Sequence, residues 1–111
     1  MQFEGIYTPV ITPFHDDGSV DENGFAQVIE FLIDAGVHGI VVAGTTGEYY
    51  AQTMAERTSL MQTAHQVING RVPLMIGVGA IRTEDAIELA QTAKQVGADS
   101  LLVNSPPYVL P

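Results

Sequence analysis

The sequence predicts an α/β fold built on a parallel sheet, and two observations support that prediction. Short apolar runs rich in β-branched residues alternate with longer stretches whose apolar residues recur at helical spacing. The joint between them also repeats, because residues 35–42 and 96–103 both pass from a helix end through a glycine and a short turn into an apolar strand. Four strands separated by three helices make a parallel sheet of right-handed βαβ units.

Two architectures satisfy this alternation: an open, doubly wound sheet, or part of a (β/α)8 barrel. A complete barrel needs roughly 250 residues. This chain has 111 residues, which is enough for one modest domain or for about half of a barrel. The alternation of strands and helices does not distinguish the two.

The first unit runs from a proline-containing strand to an uninterrupted one. Residues 5–13 predict the first strand, in which Pro9 lacks an N–H and so indicates an edge or a bulge. Ser19-Val20-Asp21-Glu22 has the pattern of a capping box at a helix start. Gly36 is placed to end that helix, and residues 39–43 predict the second strand. The apolar stripe of the helix consists of Phe25, Val28, Ile29, Leu32 and Ile33.

The second and third units repeat this plan. Thr53-Met54-Ala55-Glu56 is another capping box, and Asn69-Gly70 ends the helix that it opens. Residues 74–78 predict the third strand, and residues 83–97 predict a helix with two acidic residues in its first turn. Residues 101–103 predict the fourth strand. The apolar stripe of the second helix consists of Leu60, Met61, Ala64, Val67 and Ile68.

The composition excludes several classes of protein. The chain carries 4 Lys plus Arg against 13 Asp plus Glu, a formal net charge of −9, so we expect no nucleic-acid partner. It has no cysteine, which excludes a disulfide framework and a thiol nucleophile. It shows no secretory signal and no apolar run near the ~20 residues that span a membrane. We therefore expect a cytoplasmic protein without membrane contact.

Motifs for nucleotides and metal ions are missing from the sequence. There is no P-loop pattern. Gly77-Val78-Gly79 begins a dinucleotide-binding fingerprint, but Arg82 stands where its last glycine should be. His15, His38 and His65 are not grouped with carboxylates at metal-ligand spacing. We expect neither a cofactor nor a metal ion.

The loop after the predicted second strand is the stretch best suited to chemistry. Gly44-Thr45-Thr46-Gly47 offers two hydroxyls and two backbone N–H groups at the carboxyl end of a strand, where α/β proteins bind ligands. Because the loop has donors but no lysine, a small carboxylate suits it better than a polyphosphate. The alternative is a tight strand-to-helix turn in which Thr45 or Thr46 caps a neighbour. Lys94, the only lysine, is expected to be solvated late in the third helix.

Residues 39–48 closely resemble the G-[aliphatic]-[aliphatic]-x-x-G-[ST]-[TG]-G-E signature of the dihydrodipicolinate synthase / N-acetylneuraminate lyase family. Thr12-Pro13, Gly77-Val78-Gly79 and Ser105-Pro106-Pro107-Tyr108 fall in register with the same family, so the resemblance covers essentially the whole chain. It implies a (β/α)8 TIM barrel, with residues 1–111 as the amino-terminal half of a single domain. It also implies a class I aldolase or lyase that needs no cofactor and forms a Schiff base with pyruvate or a related 2-keto acid. The enzyme would be 4-hydroxy-tetrahydrodipicolinate synthase-like, or a 2-keto-3-deoxy sugar acid aldolase or dehydratase.

The resemblance also implies roles for particular residues. Thr45 and Tyr108 match the family's proton relay, in which Tyr108 reaches across a dimer interface into the neighbouring subunit's site. Thr45 and Thr46 match the loop that binds the keto-acid carboxylate. A homo-oligomer, a dimer or a tetramer, follows from that arrangement. Glu48 matches the acidic residue after the loop, and we expect it to be structural, accepting N–H bonds that fix the turn.

The sequence departs from the family's pattern in two ways. Tyr49-Tyr50 stand where relatives carry a small residue, and bulk near the site entrance favours a sugar-acid-type substrate over aspartate semialdehyde. The family's Schiff-base lysine lies on a later strand than this chain holds, so residues 1–111 alone are expected to be inactive. The alternative function is a non-catalytic half-barrel fragment, or a self-associating module that binds small anions.

Overall fold

The computed structural model describes residues 2–106 and confirms the predicted alternation of strands and helices. The four strands are parallel and lie side by side in chain order. A 3₁₀ turn precedes the second helix and was not predicted from the sequence. The elements are β1 (Tyr7–Pro9), α1 (Glu22–Asp34), β2 (Gly39–Val42), the 3₁₀ turn (Tyr49–Ala51), α2 (Met54–Ile68), β3 (Leu74–Gly77), α3 (Thr83–Val96) and β4 (Ser100–Leu102).

The order of the strands distinguishes the two candidate architectures. Right-handed crossovers between strands that neighbour in chain order place all the helices on one face of the sheet. The packing agrees, since α2 lies against both α1 and α3. A doubly wound sheet instead reverses its strand order and carries helices on both faces. The described part of the chain therefore has the sequential, one-sided arrangement from which a (β/α)8 barrel is built.

The core lies between the sheet and the helices, and every residue of β2 is buried. Since both faces of this strand are covered, its uninterrupted apolar run needs no polar alternation. The largest fully buried side chains are Phe25, Ile29, Ile40, Leu60, Met61, Leu74, Ile76 and Leu89. All but Leu89 belong to the apolar stripes and strands predicted above, and Leu89 lies within the predicted third helix. The core was therefore largely predictable from the sequence.

The two predicted capping boxes have different outcomes. The one at Thr53 is confirmed, since its hydroxyl accepts the Glu56 N–H at 3.1 Å and the Glu56 carboxylate accepts the Thr53 N–H at 2.8 Å. The one at Ser19 is wrong, because α1 is capped by Asp21. The Ser19 hydroxyl instead donates to the Asp17 carboxylate at 2.6 Å, and this bond holds the pKa of Asp17 below its ordinary value.

The first three strands are shorter than predicted, and β4 has the predicted length but begins one residue earlier. β1 covers only the centre of residues 5–13, with Pro9 on an edge strand of the sheet as expected. β2 ends at Val42 because Ala43 adopts a left-handed conformation with φ of 60°. The helix ends are confirmed, with Asn69 and Gly97 as left-handed caps.

No helix in residues 2–106 combines the length and the hydropathy that crossing a membrane would require.

Candidate functional site

Thr45 and Thr46 lie in a tight turn directly beyond the carboxyl end of β2. The Gly47 N–H donates to the Gly44 carbonyl at 3.1 Å, and the Glu48 N–H donates to the Thr45 carbonyl at 3.0 Å. Both threonine side chains are exposed. Within residues 2–106, neither their hydroxyls nor their backbone N–H groups have a protein partner. The turn therefore presents hydrogen-bond donors to solvent at the edge of the sheet.

Left-handed residues stand on both sides of this turn. Ala43 has φ of 60° before it, and Glu48 has φ of 58° after it. Such values are uncommon for residues other than glycine, asparagine and aspartate, and strained backbone collects at functional sites. β3 packs closely against Ala43, so closely that a Cβ on Gly77 would collide with the Ala43 carbonyl. Because position 77 is a glycine, β3 can pack directly against Ala43 and Gly44 at the start of the turn.

The far end of the turn is held through the carbonyl of Gly47. That oxygen accepts the Thr12 hydroxyl at 2.7 Å and the Gln52 side-chain amide at 2.8 Å. Thr12 is buried, with 4% of its surface exposed. Thr12 was noted in the sequence without a role, and Gln52 was missed, because nothing in the sequence places either beside Gly47.

Arg57, in the first turn of α2, is a buried cation beside the same edge. Its guanidinium donates to the carbonyls of Gly79 at 2.7 Å and Gly77 at 3.0 Å, and its central carbon lies 4.9 Å from the centre of the Tyr49 ring. Burial lowers the pKa of Arg57. Sequence reasoning missed this residue, although it precedes Leu60 and Met61 by helical spacing on the apolar face of α2.

The two adjacent tyrosines have different surroundings. Tyr49 is 9% exposed and packs beside Arg57 and Gly79, whereas Tyr50 is 69% exposed. Tyr50 therefore supplies the exposed bulk, whereas Tyr49 borders the neighbouring cleft with little exposed surface. A cleft of about 620 Å³ lies between the loops that follow β2 and β3. It is lined in part by Tyr50, Ile81, Arg82 and Asp85.

Of the remaining sequence-predicted residues, Glu48 and Lys94 are described by the structure. Glu48 is exposed, and its carboxylate accepts no hydrogen bond from the described residues. The turn is fixed instead by its own backbone hydrogen bonds and by the side chains of Thr12 and Gln52. Lys94 is exposed in the last turn of α3, at the opposite edge of the sheet. Tyr108 lies outside the described residues. Residues 2–106 contain no group of three or more His, Cys, Asp or Glu side chains that could hold a metal ion.

A sequentially ordered parallel sheet with a strained, donor-rich turn at its carboxyl edge defines a protein of the (β/α)8 class, whose sites lie at that edge. A sequence model of the Dihydrodipicolinate synthetase family matches residues 2–111. The chain belongs to that family. It carries four parallel strands and three helices from the amino-terminal part of the family's barrel.

Relatives of known name agree with this family. The chain is 41% identical over 107 residues to a protein of Escherichia coli (strain K12) that bears the name "Probable 2-dehydro-3-deoxy-D-pentonate aldolase YjhH", covering 96% of this chain and 36% of that protein. It is 44% identical over 111 residues to the 4-hydroxy-tetrahydrodipicolinate synthase of Methanoculleus marisnigri, covering 98% and 38%. Both names are those of enzymes. The chain thus spans little more than a third of the length of the curated relatives it matches.

A solved structure shows the same backbone arrangement. YagE, a prophage protein of the dihydrodipicolinic acid synthase family from E. coli K12, was solved in complex with pyruvate. It superposes on this chain with a TM-score of 0.92 at 39% identity, covering 98% of this chain and 37% of that one. Sequence identity at this level indicates more than a shared fold, and it supports the assignment to the family.

Proposed function

We propose that residues 1–111 act as the amino-terminal part of a single (β/α)8 domain, a Schiff-base-forming lyase for pyruvate or a related 2-keto acid. The observation that carries the proposal is the Thr45–Thr46 turn. Its hydroxyl and N–H donors meet no acceptor within residues 2–106 and lie at the edge of the sheet where barrel enzymes bind substrate. The pyruvate bound to YagE supports the keto-acid class.

The chemistry of a 2-keto acid fits the groups that the turn presents. The N–H groups of Thr45 and Thr46 would hold the carboxylate, with help from a threonine hydroxyl. A lysine on a later strand would attack the keto carbon, with loss of water, and the resulting imine nitrogen would act as an electron sink. The hydroxyls of Thr45 and Tyr108 would carry protons to and from the reacting atoms, since a hydroxyl both donates and accepts.

For the second substrate we propose a 2-keto-3-deoxy sugar acid. Two observations support this choice: the exposed Tyr50 beside the cleft, and the 41% identity to YjhH. The second candidate is condensation of pyruvate with aspartate semialdehyde. It is favoured by the 44% identity to the M. marisnigri synthase.

We also propose that the protein works as a homo-oligomer in the cytoplasm. Tyr108 would then enter the site of a neighbouring subunit, so that the relay is complete only in the assembly. The exposed Tyr50 and Ile81 beside the cleft support an interface at this edge, because exposed apolar side chains favour association. A sizing column on the full-length gene product tests this part of the proposal.

Borohydride trapping tests the proposed reaction. The full-length gene product is incubated with pyruvate, reduced with borohydride and analysed by mass spectrometry, with borohydride alone as the control. We expect one pyruvate-derived adduct per subunit, on a lysine outside residues 1–111. No adduct would contradict the Schiff base and favour the small-anion-binding module. An adduct on Lys94 would show that the assignment of the site is wrong. The rates of two reactions then distinguish the two candidates for the second substrate: cleavage of 2-keto-3-deoxy sugar acids, and condensation of pyruvate with aspartate semialdehyde.

A further inference from the structure

Arg57 is unusual because a buried charge normally has a charged partner. It is 5% exposed, yet no carboxylate in the described part of the chain lies within ion-pair distance of it. Its two bonds go to main-chain carbonyls at the end of β3, and its Nε has no acceptor among residues 2–106. Because a guanidinium donates in a fixed, planar geometry, Arg57 determines where those two carbonyls lie.

The first of these bonds supports the start of the Thr45–Thr46 turn. Arg57 donates to the carbonyl of Gly77 at 3.0 Å. Gly77 in turn lies so close to the Ala43 carbonyl and the Gly44 nitrogen that no side chain would fit between them. A displacement of Gly77 would therefore move the left-handed Ala43, which sets the direction in which the chain enters the turn.

The second bond supports the end of the turn. Arg57 donates to the carbonyl of Gly79 at 2.7 Å and stacks on the Tyr49 ring at 4.9 Å. The same ring lies about 3.1 Å from the position that a Cβ on Gly79 would occupy. Tyr49 is thus packed between a guanidinium and a glycine, and it directly follows Glu48, the left-handed residue that ends the turn.

We propose that Arg57 is a positioning residue that holds the Thr45–Thr46 turn from both ends, through Gly77 and through Tyr49. In the structure it acts on the turn through those two residues. This inference rests on the proposed function, in which the turn binds the keto-acid carboxylate. A misplacement of about 1 Å in a group that aligns substrate can cost ~10²-fold in rate. Loss of Arg57 should therefore reduce catalysis while leaving the hydroxyl and N–H donors of the Thr45–Thr46 turn in place.

The experiment compares three variants of the full-length enzyme. Arg57→Met removes the charge and both donors while keeping a long side chain, and Arg57→Lys keeps the charge but not the planar fork. Arg71→Gln is the matched control, because Arg71 is an exposed arginine at the opposite end of α2. We expect Arg57→Met to lower kcat/KM for the keto acid by ~10–100-fold per folded subunit. Arg57→Lys should recover part of that loss, and Arg71→Gln should match the parent.

Hydrogen exchange separates this inference from the proposed function. The amides of Gly47 and Glu48 are hydrogen-bonded within the turn, so their exchange should become faster in Arg57→Met and stay unchanged in Arg71→Gln. If the parent traps no pyruvate, the proposed function fails, and the exchange rates still test the positioning. A lower unfolding temperature with unchanged kcat/KM and unchanged exchange would show a purely structural role and overturn the inference. If Arg57→Met does not fold, Tyr49→Leu replaces it, with the same expected direction and a smaller effect.

Discussion

The two ends of α2 use arginine in opposite ways. Arg57, near the start of the helix, is buried and bonds only to backbone carbonyls among the described residues. Arg71, just beyond the end, is partly exposed and pairs with Glu30 at 2.7 Å. Arg71 also donates to the carbonyls of Val67 and Ile68, the last turn of the helix. The first arginine supports a strained turn, and the second closes a helix end.

A similar contrast exists between the two ends of the parallel strands, which we call the amino edge and the carboxyl edge of the sheet. At the amino edge, two backbone N–H groups have side-chain acceptors: the Leu74 N–H donates to the Asp99 carboxylate at 2.8 Å, and the Ile6 N–H donates to the His38 ring at 2.9 Å. At the carboxyl edge, donors of the Thr45–Thr46 turn stay without partners in residues 2–106. Barrel proteins place activity at the carboxyl edge and stability at the other. Substitutions at the two edges should therefore affect different measurements.

Thr45→Val should produce the largest effect and gives the sharpest test of the comparison. The change keeps the volume of the side chain and removes one hydroxyl from the proposed proton relay. Because general acid–base help is worth ~10²–10⁴-fold, kcat in the full-length enzyme should fall by that order. The unfolding temperature should change little, since the side chain is exposed. Steady-state kinetics and thermal unfolding measure the two.

A matched control for Thr45→Val is Thr92→Val on α3. The Thr92 hydroxyl donates to the Glu88 carbonyl at 2.9 Å within the same helix, away from the carboxyl edge. Turnover should be the same as in the parent. If Thr45→Val also keeps near-normal turnover, the loop is only a strand-to-helix turn. Substitutions at the two edges would then not differ in their effect on turnover.

Tyr108→Phe should produce the second largest effect on turnover. The ring is kept and only the hydroxyl is lost, so kcat should fall by ~10²-fold while borohydride trapping of pyruvate stays close to that of the parent. Tyr7→Phe serves as the control, because Tyr7 begins β1 at the amino edge. Equal turnover in Tyr108→Phe and the parent would mean that the tyrosine only packs.

Glu48 tests whether the conformation or the carboxylate matters at the end of the turn. Its φ of 58° is tolerated by asparagine and disfavoured by β-branched residues. Glu48→Asn should therefore keep both stability and turnover, whereas Glu48→Val should cost about 1 kcal/mol of unfolding free energy and reduce turnover. A large loss of turnover in Glu48→Asn, with an unchanged unfolding temperature, would assign the carboxylate a chemical role.

The alternation of elements was predictable because apolar periodicity is a local signal. The helix stripes and the strand runs appear in the sequence without knowledge of their neighbours. Local competition explains the error at Ser19, whose hydroxyl and N–H both bond to Asp17 and close a separate turn. A capping pattern alone does not show that a nearer carboxylate takes the hydroxyl.

The supports of the candidate site were not predictable, because they depend on contacts between strands. The sequence predicted Ala43 to be a strand residue, because nothing in its own segment shows that Gly77 packs against its carbonyl. The supporting roles of Arg57 and Gln52 were not predicted, because these side chains donate to main-chain carbonyls 5 or more positions away in the sequence. The threonines of the turn were found because they follow a strand directly in sequence.

Glu30→Gln should produce the smallest effect, and it tests the amino edge through pH. The hydrogen bond from the Arg71 guanidinium holds the pKa of Glu30 below its ordinary value of 4.5. The folded protein therefore binds this proton less readily than the unfolded chain does. The stabilisation is present above the unfolded pKa and is lost as the pH falls through the folded pKa.

In the full-length enzyme, the unfolding temperature of Glu30→Gln should accordingly be slightly below that of the parent at about pH 7, and the difference should shrink as the pH falls below 4.5, the ordinary pKa of Glu30. Added salt should shrink it at neutral pH, because exposed pairs are screened. Turnover should not change, since the pair lies at the edge opposite the Thr45–Thr46 turn. Glu88→Gln is the control, as Glu88 forms no ion pair within residues 2–106. A pH-independent difference would mean that packing of the Glu30 side chain, and not its charge, stabilises this edge.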